Sequence, residues 1–275
     1  MVFMSDTTAL PPLEDAASLA GGGAAVAMSE VARARCSDAA MADLQETDRR
    51  LGTDDFSDPA MFAQTAACTY LIGAGDFVKG MQYVTDPSTN LIFSSSSLAR
   101  SACEFANRAS WLADPDITDE QRIARGIAVL RKAINEESPL LEPDTLAAFR
   151  DIERGIDRWR QASGFTEKAA VPNATQLFKV VNTGAGDEDY RRLSHATHGS
   201  FLTVVAGHHA ATAGTTEGKL GAWWRVLIAW QYGLEAAIRI TNLQQNEPPK
   251  SLQYASTLGL HYWEMCLQWE DAHRT

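Results

Sequence analysis

From Ala222 to Gln245 the chain is apolar on nearly every side, with Trp223, Trp224, Val226, Leu227, Ile228, Trp230, Tyr232, Leu234 and Ile238 in one continuous helical pattern. A helix that is hydrophobic all round has no face to give to water, so other helices must surround it. It is therefore expected as the central core helix or as a buried oligomer interface. The stretch from Gly221 to Ile238 approaches the ~20 residues of a membrane span. Arg225, Gln231 and Glu235 interrupt it, and a buried helix fits better. No other stretch alternates apolar and polar residues with the β-branched content of a strand. The expected fold class is all-α, a bundle of about seven or eight helices.

Helix punctuation divides the remainder. Pro11-Pro12 and Gly21-Gly22-Gly23 oppose regular structure, so residues 1–27 read as a flexible N-terminal tail and residues 28–275 as a single helical domain. A charged, alanine-rich helix is expected from about Ser29 to Leu51, closed by Gly52. Ser57-Asp58-Pro59 opens the next, to about Tyr83, because a cap residue followed by proline suits a first turn. Further helices are expected over Asn90 to Ala113, Thr118 to Glu136, Pro143 to Ser163 and Ala174 to Asn182. Three more follow, over Asp187 to His209, Ala222 to Gln245 and Ser251 to His273.

Composition removes several classes. The net charge is −11, which opposes a broad electrostatic footprint for nucleic acid or for an anionic membrane, while leaving room for a local basic site. The four cysteines, Cys36, Cys68, Cys103 and Cys266, form no C-x-x-C pair, so neither a zinc knuckle nor a redox motif is present. Three of them sit in apolar helical stretches as small core residues. The amino terminus lacks a basic segment, and Asp6, Glu14 and Asp15 break any apolar run, unlike a signal peptide. A reducing, cytoplasmic setting is expected.

The chemistry-bearing segment is Tyr190-Arg191-Arg192-Leu193-Ser194-His195-Ala196-Thr197-His198-Gly199. Two arginines and two histidines fall within eight residues of a chain with only six histidines. On a helix, Arg191, His195 and His198 stand at i, i+4 and i+7, on one face. A guanidinium beside imidazoles can bind phosphate and move protons near neutral pH. The neighbouring stripe of Tyr190, Leu193, Thr197, Phe201 and Val204 is mostly apolar and expected to face the core. The alternative is structural, with Arg191 and Arg192 pairing with Asp187, Glu188 or Asp189. These acids also suit a helix first turn, where they offset the macrodipole.

A second set, Arg100, Glu104 and Arg108, stands at i, i+4 and i+8 on an otherwise apolar helix. It reads either as an ion-pair ladder or as a polar network facing the histidine helix. In the second case Glu104 orients a histidine, and Arg100 or Arg108 binds a phosphate oxygen. No metal is expected. Glu-x-x-His pairs and His-Glu-x-x-His are both absent, and His261-x-x-Glu264 has the reversed order.

Arg191-x6-His198 and Arg192-x5-His198 resemble the Arg-x(4–6)-His motif of HEPN-like helical domains. The phrase Tyr190-x-x-Leu193-Ser194 before His198-Gly199, and the upstream Arg100-x-x-x-Glu104 helix, resemble bacterial members of that group. The resemblance covers roughly residues 60 to 245 and implies a HEPN-like core. It further implies a metal-independent endoribonuclease of a defence or toxin system, acting as a homodimer without a cofactor. His198 would be the general acid/base, with His195 beside it, and Arg191 or Arg192 would stabilise phosphate charge, while Tyr190, Ser194, Arg100, Glu104 and Arg108 support the site. RNA or another phosphate ligand is the implied partner. Active members commonly carry a small polar residue or histidine after the motif arginine, whereas here Arg192 and Leu193 follow. The competing expectation is a non-catalytic oligomeric bundle in which the Arg/Glu/His network serves packing.

Overall fold

The computed structural model describes residues 13–84, 92–197, 205 and 216–272. Among them the structure is all-helical. The helices are α1 (Leu13–Arg33), α2 (Asp38–Leu51), α3 (Pro59–Val84), α4 (Ile92–Leu112), α5 (Asp119–Glu137), α6 (Pro143–Ser163), α7 (Ala174–Val181), α8 (Gly186–Thr197), α9 (Thr216–Leu243) and α10 (Lys250–Ala272). Among the described residues ten helices stand where seven or eight were expected.

Capping residues set several boundaries. The Thr118 hydroxyl accepts from Gln121 N at 3.3 Å, and the Gln121 side chain returns to Thr118 N at 3.1 Å, a reciprocal box that starts α5. Asn173 and Gln176 repeat the device at α7. Gly164, at φ 68°, ends α6 in the left-handed conformation that glycine adopts without a Cβ penalty. The expected helix from Ser29 to Leu51 is two helices, because Ser37 caps a new start by accepting from Ala40 N at 3.1 Å.

Residues 13–27, expected as part of a flexible tail, are helix instead. Ala17, Ala20, Ala24, Ala27 and Met28 are buried, and α1 packs against α3, α9 and α10. The three glycines that argued against a helix there sit within it, among small buried neighbours. A Cβ on Gly23 would sit 3.4 Å from Leu258 and 3.8 Å from Ala255, and one on Gly22 would meet the Gln82 amide. Close packing of small residues thus outweighs glycine's helix cost of ~1 kcal/mol each.

α9 is the central core helix. Trp223, Val226, Leu227, Ala229, Trp230, Tyr232, Ala236, Ala237 and Ile240 are buried, and the helix packs on α4, α1, α3 and α10. The Trp230 indole occupies the space a Cβ on Gly259 would take and donates to Ala255 O at 3.0 Å, tying α9 to α10. A smaller core joins α2, α5 and α6 around Trp159, whose indole donates to Leu51 O at 2.6 Å. α8 packs on α4 and α7 at the edge of the larger core. No described helix is long and apolar enough to cross a membrane.

Candidate functional site

α8 begins where the chain turns sharply after α7. Asn182 Oδ1 accepts from Ala185 N at 3.0 Å, and Gly186 N donates to Asn182 O at 2.8 Å. The first turn is acidic, with Asp187, Glu188 and Asp189 at the positive end of the helix dipole. Asp187 and Glu188 each meet a base one turn on. Arg191 Nη2 donates to Asp187 Oδ2 and Arg192 Nη2 to Glu188 Oε1, and both arginine side chains are 68% exposed. Lys179 of α7 adds a contact to Asp187 at 3.7 Å. His195 is exposed on the same outward side. The structure thus brings Arg191, Arg192 and His195 onto one solvent-facing surface rather than into a cleft. His198, with His208 and His209, lies outside the described residues.

The inner side of α8 differs. Leu193 and Ser194 are buried, and the Ser194 hydroxyl finds no hydrogen-bond partner among the described residues. The Tyr190 ring meets Phe178 edge-on at 5.4 Å. The Arg100 guanidinium lies over the Tyr190 ring, 5.4 Å from its centroid, while Arg100 Nε donates to Glu104 Oε1 at 2.8 Å. The expected juxtaposition of the Arg100/Glu104 helix with the motif helix is therefore present, through an aromatic ring. Arg108 goes elsewhere, lying 5.6 Å over the Tyr70 ring against α3. Glu104 engages Arg100 on its own helix, while His195 stands on the opposite side of α8.

A partly buried contact joins two groups that the sequence assigns to other roles, Asp189 to the helix first turn and Tyr232 to the apolar core. Tyr232 of α9, fully buried, donates its hydroxyl to Asp189 Oδ2 at 2.9 Å. Burial raises the Asp189 carboxyl above the ordinary aspartate range, with the Tyr232 hydrogen bond pulling the other way. Burial, then the Asp189 charge, pushes the Tyr232 phenol well up. Cys103 of α4, fully buried nearby, is held as a neutral thiol for the same reasons. A tyrosine inside an apolar helix needs an oxygen partner, and that requirement was the available signal. Which acid would supply it, 43 residues away, was not legible.

This arrangement can hold α8 on α4 and α9 and can present cations to solvent. Among the described residues, no group of three or more His, Cys, Asp or Glu side chains could hold a metal ion. Comparison of the chain with family models, with curated proteins and with solved structures found no match.

Proposed function

We propose that this chain is a non-catalytic, oligomeric helical bundle, an interaction protein whose Arg/Glu/His network is a packing feature. One observation carries the reading: both motif arginines are ion-paired to acids one turn back on their own helix. The half-buried Arg100–Glu104 pair clasps Tyr190 rather than opening a phosphate site. Mixed RNA incubated with the pure protein in chelator is expected to stay intact, as it does with His198→Ala. Cleavage by wild type that is lost in His198→Ala overturns the reading.

A second reading, metal-independent RNA cleavage of the HEPN-like kind, is favoured by the exposure of Arg191, Arg192 and His195 on one surface. There a polymeric phosphate could exchange with the intrahelical carboxylates. In that case Arg191→Ala with Arg192→Ala abolishes cleavage in the same assay without unfolding the protein.

A further inference from the structure

The interaction reading leaves open which surface meets the partner. The outer side of α1 and α3 combines two features, and the second of them sets it apart from the rest of the described surface. The two helices run antiparallel, with Gly22 beside Gln82 and Ala25 beside Gly75, and Gln82 Nε2 donates to Ser18 O at 2.7 Å. Between them lies a groove of about 960 Å3.

The first is apolar exposure, which α10 shares through Tyr254, Leu260, Trp263 and Leu267. Leu19 and Val26 stand at i and i+7 on α1 and are 51% and 61% exposed, and Tyr83 on α3 is 70% exposed. Helical register puts them on the outward stripes of the two helices, away from the α9 and α10 contacts of α1.

The second is charge. Glu30 and Arg33 stand at i and i+3 on the α1 stripe, and Asp76 and Lys79 repeat that spacing on α3; all four line the groove. Acid-then-base pairs at the same spacing close into ion pairs at Glu46–Arg49 and Asp151–Arg154. None of the four groove charges has an ion-pair partner among the described residues. Two acids and two bases make this face locally neutral in a chain of net charge −11. Here the bases of one copy can meet the acids of the other.

We propose that the outer face of α1 and α3 is the docking surface for a second copy of this chain. The inference rests on the interaction reading above and names its surface. The size is adequate. At ~1.5 Å per residue the 21 residues of α1 span about 31 Å, and two helices side by side are about 20 Å wide. That footprint is on the order of 600 Å2 before side-chain relief, near the ~800 Å2 per partner of a stable interface.

Charge exchange tests it by sedimentation velocity up to about 100 µM, where even a weak interface of this size is populated. The wild type is expected to dimerise. Arg33→Glu with Lys79→Glu is expected to be monomeric, as is Glu30→Arg with Asp76→Lys, and an equimolar mixture of the two variants is expected to recover a dimer. Circular dichroism checks that each variant is folded. If a double variant does not fold, Val26→Glu at its single exposed position is expected to weaken the dimer about tenfold or more. A monomeric wild type overturns the proposal. So does a dimer indifferent to charge reversal, or a mixture that stays monomeric. A dimer indifferent to reversal leaves the interaction reading standing through another face. RNA cleavage that requires His198 overturns that reading without touching this face.

Discussion

The two faces of α8 carry similar residues and do different work. On the inner face, Asp189 and Tyr190 are held by groups from other helices, Tyr232 of α9 and Arg100 of α4. On the outer face, Arg191 and Arg192 are held only by Asp187 and Glu188 of the same helix, in water. A polar contact between helices fixes their relative position, while one within a helix adds a few tenths of a kcal/mol to that helix alone. Fold dependence should therefore sit on the inner face. The outer face can be altered freely, which makes it a clean place to test for activity.

The largest expected effect comes from Leu193→Ala. Truncating this buried side chain leaves a cavity and is expected to cost about 2–5 kcal/mol in a denaturant titration. A loss under about 1 kcal/mol would show that the inner face is not well packed. Next is Tyr232→Phe, which leaves the Asp189 carboxylate without its buried donor, and about 1–3 kcal/mol is expected to be lost.

Asp189→Asn sharpens the contrast through pH. The folded protein holds the Asp189 proton more tightly than the unfolded chain does, since burial raises this carboxyl above its ordinary 3.8. The stability this confers is fully present below 3.8 and disappears as pH rises through the higher folded value. Melting temperatures over that range are therefore expected to shift in favour of D189N as pH rises, and parallel curves for the two proteins would break the assignment. The smallest effect belongs to the outer face. Arg191→Ala and Arg192→Ala together are expected to change stability by under about 1 kcal/mol, as for other exposed pairs. A large loss would erase the distinction between the faces.

Much of the helix pattern was written locally. Thr118 with Gln121, Pro59 after Asp58, and Pro143 at the start of α6 mark boundaries through contacts a few residues long. The burial of α9 was equally plain, because nothing but a core accepts so many large apolar side chains. The helix through Gly21-Gly22-Gly23 was hidden, because its stabilisation comes from α3 and α10 rather than from its own residues. At the candidate site, the pairing of Arg191 and Arg192 with the acids before them could be read from the i, i+4 spacing. The Arg100–Tyr190 and Asp189–Tyr232 contacts join residues brought together only by the packing of α8 on α4 and α9. A single sequence carries no trace of which tyrosine meets which carboxylate.

The place of α1 bears on the order in which the protein can be made. Its buried alanines face α9 and α10 as well as α3, and the Gln244 amide just past α9 donates to Val31 O in the last turn of α1 at 3.2 Å and to Ala34 O just beyond it at 3.3 Å. About 180 residues separate Arg33 from the start of α9, which at ~5–20 residues per second is roughly 10–40 s of synthesis. Throughout that interval α1 has no complete seat. A hairpin with α3 can form early. The finished core must wait for α9 and α10 to emerge, and a nascent chain stalled before α9 would still show its alanine face to the cell.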